Sequence, residues 1–388
     1  MEIKITNDIK YIGVDDKNID LFESQYIVPN GIAYNSYVIL DDKITVMDTV
    51  DQNFADEWLN NLANVLNGKN PTYLIVQHLE PDHSGSIGKF MEVYPNTTII
   101  CSIKAKTMFN QFVDIDLEKI EAKKEGDTLE LGSHTLTFIN APMVHWPEVM
   151  FSYDSKDKVL FSADAFGKFG ALDTDEDWNC EARRYYFNIV GKYGAGVQTV
   201  LKKACNLDIK YICPLHGPVL NDTIPEVLSL YNTWSSYEPE NKGVFIAYAS
   251  IHGNTKKAAL KMKEILQNKG CPKVAIADLS REDIAECVED AFRHSTLLCM
   301  APSYDAGVFA PMSDFLHHLQ SKAFQNRTVA LVENFSWAAS GLKTMKNEFE
   351  KMKNINIIDK TVSIKTRLTN DNICELENLA DIIIKELT

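Results

Sequence analysis

The sequence predicts two domains of different class, an α+β domain over residues 1–241 and an α/β domain with a five-stranded parallel sheet over residues 242–388. Three observations predict this. Short apolar strands come in pairs up to about residue 235, with only occasional helices between them. Strands and helices then alternate regularly to the end. Between the two patterns lies Tyr237 to Lys242, Y-E-P-E-N-K, a polar gap containing proline.

In the first domain the paired strands are Tyr37 to Leu40 with Ile44 to Met47, and Leu136 to Ile139 with Val149 to Ser152. Val159 to Ser162 and Tyr211 to Cys213 follow, and Tyr73 to Val76 reads as a buried strand. Helices are expected over Ala55 to Leu66 and Val197 to Cys205, giving two sheets with outer helices. The Lys-rich run Ala122 to Glu125 and the acidic run Asp173 to Asp177 read as solvated loops.

In the second domain strands at Val244 to Tyr248, Val274 to Asp278, Thr296 to Met300, Thr328 to Val332 and Asn356 to Val362 are each followed by a helix. The helices run over Lys256 to Lys269, Ile284 to Ala291, Met312 to Ser321, Leu342 to Lys351 and Asp371 to Leu387. Sheets of this kind bind ligands at the strand C-termini, so the loops after the first, third and fourth strands should carry the site.

Composition narrows the function. A net charge of −15 disfavours a nucleic-acid partner, because phosphate backbones are held by clustered Lys and Arg. The N-terminus lacks the basic and apolar regions of a signal peptide, and no apolar run is long enough to span a bilayer, so a cytoplasmic protein without membrane attachment is expected. The eight cysteines include no C-x-x-C pair, against a disulfide framework, a zinc ribbon or a rubredoxin-type centre.

His78, Glu80, Asp82 and His83 fall within H-L-E-P-D-H, just beyond the strand Tyr73 to Val76. Four potential metal ligands in six residues at a strand end are hard to explain as packing. His145 in A-P-M-V-H-W, Asp164 in F-S-A-D-A and His216 in C-P-L-H-G also follow strands. Four histidines and three carboxylates suffice for two metals, with Asp164 the natural bridge. His134, His294, His317 and His318 lie outside the pattern and are expected on the surface or on helices.

The first strand of the second domain runs into A-S-I-H-G-N-T. Ser250, Ile251, His252, Gly253, Asn254 and Thr255 precede a helix, so hydroxyls, backbone N–H groups and the positive helix end together form a phosphate pocket. The chain has neither a Walker A loop nor a G-x-G-x-x-G motif.

The ordered set H-L-E-P-D-H, His145, Asp164 and His216 resembles the ligands of the flavodiiron proteins, or A-type flavoproteins, and S-x-x-G-N-T resembles the FMN phosphate loop of flavodoxins. The resemblance covers essentially the whole chain and corresponds to the short form without a fused rubredoxin domain. It implies a metallo-β-lactamase-like αββα sandwich followed by a flavodoxin-like domain, holding two non-haem irons and FMN. Relatives of that sandwich that hydrolyse with zinc usually carry His where Glu80 stands, and hard oxygen donors favour iron.

The resemblance further implies that Ala301, Pro302, Ser303, Tyr304, Asp305 and Ala306, with Glu333, Asn334, Phe335, Ser336, Trp337 and Ala338, flank the flavin ring. Ala301 and Ala338-Ala339-Ser340 depart from the family pattern. The implied activity is reduction of dioxygen to water, nitric oxide to nitrous oxide, or both. Electrons would come from rubredoxin or a similar donor, in a head-to-tail homodimer to which a dimer of dimers is open. Tyr193 and Tyr26 are the candidate proton donors. Two other readings stand beside this one: a dizinc hydrolase with a regulatory flavodoxin-like domain, and an electron-transfer module with a structural metal.

Overall fold

The computed structural model describes residues 3–387. Contacts divide the chain into two units, Met1–Asn232 and Thr233–Thr388. The division falls within the helix Ile224–Ser235, a few residues before the polar gap.

The first unit holds a six-stranded and a five-stranded sheet. Tyr37, Ile39, Met47, Ile75 and Ile100 of one sheet share a buried cluster with Leu129, Leu136, Phe138, Met150, Val159 and Phe161 of the other. Alternate residues of each strand therefore face the opposing sheet, as two packed sheets require. Three strands of the first sheet were not anticipated: Ile9–Tyr11, and Thr98–Ser102 and Ile120–Lys123, which pair in parallel. The Lys-rich run expected as a loop therefore begins inside a strand at the sheet edge, where charged side chains discourage further pairing. The acidic run Asp173 to Asp177 is irregular, as expected.

This architecture collects strand ends. Tyr73–Val76, Thr135–Asn140, Val159–Phe161 and Tyr211–Cys213 each run into a loop bearing one or more of the seven predicted ligands.

In the second unit the parallel sheet has the order Val274–Asp278, Asn241–Tyr248, His294–Tyr304, Arg327–Phe335, Ile355–Ile357, and Val362–Lys365 also pairs with Arg327–Phe335. The last predicted strand is thus two short strands around a break, both on the same neighbour. Sequence order 2-1-3-4-5 puts the switch point beside the first strand, where doubly wound sheets bind ligands.

Two of the histidines set aside as surface or helix residues are buried. His134 is 0% exposed with Nδ1 3.1 Å from Asp154, and His294 is 3% exposed at a strand start, facing the Asp290 carbonyl at 2.9 Å. His317 and His318 do lie on a helix, Ala310–Ser321.

Candidate metal centre and flavin cleft

The hexapeptide folds so that its ligands face two positions. Glu80 is extended (φ −56°, ψ 139°), and Pro81 opens one turn of helix, Pro81–Ser84. Proline suits a first helical position because its missing N–H would be unpaired there anyway. The turn lets the chain neighbours Asp82 and His83 reach the same place. Asp48 secures the residue before His78, accepting from the Gln77 backbone at 2.7 Å and its amide at 3.0 Å. Burial pushes the Asp48 carboxyl up to about 6 against those hydrogen bonds.

His78 Nε2 lies 3.2 Å from Glu80 Oε2 and 3.3 Å from His145 Nε2, and His145 Nε2 lies 3.0 Å from Glu80 Oε2. Asp164 Oδ2 completes this group, 2.9 Å from His145 and 3.4 Å from His78. In the second group His83 Nε2 lies 3.1 Å from His216 Nε2 and 3.4 Å from Asp82 Oδ2, and His216 Nε2 is 3.3 Å from that same oxygen. Asp164 Oδ1 faces this group, 3.1 Å from His83.

These spacings fit metal ions. Bonds of about 2.1 Å put ligand atoms about 3.0 Å apart at right angles and about 3.4 Å apart in a tetrahedron. Neither oxygen of Asp82 or Asp164 receives a well-directed hydrogen bond, although both oxygens of each are buried. Buried carboxylates left so are costly unless a cation joins them. Burial opposes charge on His78, His83 and His145, but the neighbouring carboxylates outweigh it and hold their pKa values above the usual range, His145 at about 9. Burial likewise raises Asp164, and the imidazoles outweigh that and carry it well below the carboxylate range.

The loop bearing Asp164 is tightly set. Ala163 and Phe166 on either side adopt positive φ, 46° and 69°, a conformation that costs a non-glycine residue about 1 kcal/mol or more. Cross-bonds hold it there: Leu215 N–H donates to the Ala163 carbonyl at 2.8 Å, and Phe166 N–H donates to the Tyr231 hydroxyl at 2.6 Å.

Tyr185, which was not among the tyrosines expected, faces the cluster. Tyr26 Oη donates to the Asn188 carbonyl at 3.1 Å, and its ring packs on Phe169 at 6.0 Å. Tyr193 ends the turn Gly191–Tyr193 and shares no hydrogen bond, ion pair or ring contact with the seven among the described residues. Tyr185 is buried with its ring 5.5 Å from His216 and its hydroxyl without a hydrogen-bond partner. Burial, then the charges of Asp164, Glu80 and Asp82, raise its pKa well above the phenol range. It precedes Tyr186 in A-R-R-Y-Y, and helix phase alone does not say which ring turns inward.

In the second unit a cavity of about 690 Å³ is lined by Ser250, Ile251, His252, Asn254 and Thr255, by Pro302 to Ala306, and by Asn334 to Trp337. Of the expected flavin-contact residues, Gly253, Ala301 and Glu333 are not in the lining. Ala338, also expected, lines it too, and so do Ser340 and Thr366, which were not foreseen as contacts; Thr366 follows the second half of the split strand. Trp337 is 93% exposed and Tyr304 49%, so two aromatic faces stand at the rim.

Two helices start near this cavity, and they differ. At Gly341–Phe349 the first amides are already taken: Ser303 Oγ accepts from Ser340 and Gly341, and Glu333 Oε2 from Leu342. Helix Asn254–Asn268 has Gly253 at its N-cap and no side-chain cap, which leaves the first turn able to meet a phosphate. Gly253 has φ +86° with open space where a Cβ would stand, so its role is conformational. Gly253→Ala should therefore weaken FMN retention about tenfold through roughly 1–2 kcal/mol of backbone strain, read by fluorescence titration of the flavin-free protein.

The profile of the "ODP family beta lactamase" matches residues 32–217. Over 91% of the chain, the sequence is 30% identical to an uncharacterized protein of Methanocaldococcus jannaschii, of which 90% is covered. It is 27% identical over 90% of its length to the anaerobic nitric oxide reductase flavorubredoxin of Escherichia coli, covering 75% of that protein. Among solved structures, the rubredoxin oxygen:oxidoreductase of Desulfovibrio gigas superposes with TM-score 0.92 at 25% identity, covering 100% of this chain and 98% of that one. A single-site mutant of a flavo di-iron protein from Thermotoga maritima superposes with TM-score 0.89 at 25% identity, covering 98% and 96%.

The chain belongs to the flavodiiron family. As a flavodiiron protein it is an oxidoreductase that carries FMN and a non-haem diiron site, on a metallo-β-lactamase-like domain and a flavodoxin-like domain. The dizinc hydrolase reading is thereby displaced. No helix among the described residues is long and apolar enough to cross a membrane.

Proposed function

We propose that His78, Glu80, His145 and Asp164 hold one iron, that Asp82, His83, His216 and Asp164 hold the other, and that the 690 Å³ cavity holds FMN. The protein then reduces dioxygen to water in the cytoplasm, with some activity towards nitric oxide and electrons from a small donor such as rubredoxin. The observation that carries this is Asp164, whose two oxygens face two separate His/carboxylate groups. Glu80, Asp82 and Asp164 would cancel three of the four charges of a ferrous pair. The names of the D. gigas and E. coli relatives support oxygen and nitric oxide as the substrate class.

The iron pair and FMN, when bound, supply two electrons each, enough to take dioxygen to two waters or to couple two nitric oxide molecules. The protein's part is to hold the ligands, exclude water and place protons. Trp146 packs edge-on against His78 at 5.1 Å, with Phe112 behind it at 5.8 Å, which closes that side of the first group. Tyr185 keeps its proton and is the phenol best placed to donate a hydrogen bond to a substrate at the pair. Tyr185→Phe should lower kcat by about 10²-fold or more while iron content stays at wild-type level. Unaltered turnover would remove Tyr185 from the reading.

His78, His83 and His145 carry raised pKa values before a metal arrives, so iron uptake below about pH 9 must expel protons. Apparent iron affinity should fall as pH falls. Calorimetry in buffers of different ionisation enthalpy should show net proton release at pH 7.

A head-to-tail homodimer, in which the flavin of one chain serves the iron pair of the other, belongs to this reading; a monomer with full activity would contradict it. The deciding experiment supplies reduced rubredoxin to the iron- and FMN-loaded protein in closed anaerobic cells and adds either gas. Fast oxygen loss without peroxide, beside slower nitric oxide loss, is expected. The opposite ranking would overturn the oxygen preference, and consumption of neither gas would overturn the function.

A further inference from the structure

The three histidines whose second ring nitrogen can be traced are backed unequally. His78 Nδ1 lies 2.8 Å from Glu148 Oε1, an oxygen that also accepts the Leu79 N–H at 3.0 Å. Glu148 is 1% exposed, its other oxygen is buried without a hydrogen-bond partner, and its backbone carbonyl accepts from Ser102 Oγ at 2.7 Å. His216 Nδ1 instead faces a neutral acceptor, the Ala33 backbone carbonyl, at 2.8 Å. His83 Nδ1 is buried with no hydrogen-bond partner among the described residues.

A carboxylate behind a ligating imidazole does two things. It fixes the tautomer that turns the Nε2 lone pair to the metal, and it draws the Nδ1 proton away, making the imidazole a stronger donor. A backbone carbonyl fixes the tautomer and adds little charge. An unanchored ring does neither, and must lose its choice of tautomer when it binds.

We infer that Glu148 is a positioning residue that makes the iron position of His78, Glu80 and His145 the tighter of the two, and that the position of Asp82, His83 and His216 releases its iron first. This rests on the ligand set proposed above. Glu148 touches no reacting atom in it and acts only through His78. The alignment is built by the fold: Glu148 stands between His145 and the strand Met150–Asp154, close in sequence to one ligand, yet bonds another 70 positions away.

The test is anaerobic. Protein carrying two ferrous ions per chain is mixed with excess chelator whose ferrous complex is coloured. Release should occur in two phases of equal amplitude, separated by about tenfold or more in rate. Glu148→Gln keeps an oxygen facing the His78 N–H and removes only the charge; it should speed the slow phase by about 10–100-fold and leave the fast phase unchanged. His83→Asn should alter the fast phase alone, which identifies that phase with the second position.

A spectroscopic arm separates a charge effect from loosened structure. With ⁵⁷Fe as the first equivalent and natural iron as the second, the Mössbauer quadrupole splitting should differ between wild type and Glu148→Gln, and with the label order reversed it should not. A single release phase in the wild type, or a Glu148→Gln change shared equally by both phases, would overturn the inference. Should Glu148→Gln fail to fold, by circular dichroism, the wild-type phases and His83→Asn decide alone. A wild-type chain that holds fewer than two irons would instead sink the ligand set itself.

Discussion

Replacing Asp164 with asparagine should strip iron from the protein while leaving FMN in place. Asp164 is the one residue whose two oxygens face both metal groups, and its side chain is 1% exposed. Asparagine keeps the shape but offers a single uncharged oxygen, so one position loses a ligand and both lose negative charge. Removing a partner that only backs a ligand costs about 10–100-fold in affinity, and removing a shared ligand should cost more. The expected result is iron content well below one per chain, flavin content unchanged, and gas consumption lowered by more than about 10²-fold. The flavin should stay because its cavity is lined wholly by residues of the second unit. Iron content of two with near-normal turnover would show that Asp164 is not the bridge.

Arg327→Met should produce the largest loss of stability in the second unit. Arg327 opens the strand Arg327–Phe335 and is 2% exposed. Its Nε donates to the His294 carbonyl at 2.9 Å, its Nη1 to those of Tyr237, Gln325 and Asn326, and its Nη2 to that of Phe292. No carboxylate takes part in these bonds; the guanidinium serves as a hub for backbone groups from the polar gap, a helix end and a turn. Methionine fills the volume and satisfies none of them. A buried carbonyl left unmet costs about 1–3 kcal/mol, and some of the five would find water, so a loss of about 3–5 kcal/mol is expected. The flavin-binding unit should melt at least about 10 °C lower by calorimetry. Wild-type melting would mean that the surrounding carbonyls are satisfied some other way.

The second unit was the more legible half. Its regular alternation of β-rich and helical runs leaves few ways to fold, and the phosphate loop, Pro302 to Ala306 and Asn334 to Trp337 converge on one cavity. Thr366 was missed because the last strand was read as one continuous run, so the residue after its second half carried no signal. In the first unit, Thr98–Ser102 and Ile120–Lys123 escaped notice because a short strand in the middle or at the edge of a sheet is set by its neighbours more than by its own composition.

The proposed metal ligands show the same division. His78, Glu80, Asp82 and His83 could be chosen from the hexapeptide because residue type and density at a strand end already carry the chemistry. Glu148, three residues after His145 in H-W-P-E, offered a carboxylate beside a ligand, but no local pattern shows that it faces His78. Nothing local marks Tyr185 in A-R-R-Y-Y apart from its neighbour Tyr186, and the expectation fell on Tyr193 and Tyr26.

What the amino-acid sequence determined by itself was the two fold classes, and the loops that bring the candidate ligands together. Each of these depends on side-chain chemistry and on periodicity over a few turns or strands. Only the tertiary structure decided that Asp164 faces two groups, that Tyr185 turns inward, that Glu148 backs His78, and that His134 and His294 are buried. Those are distances of a few ångströms between residues far apart in the chain, and they come from the packing of two sheets, which no local pattern encodes.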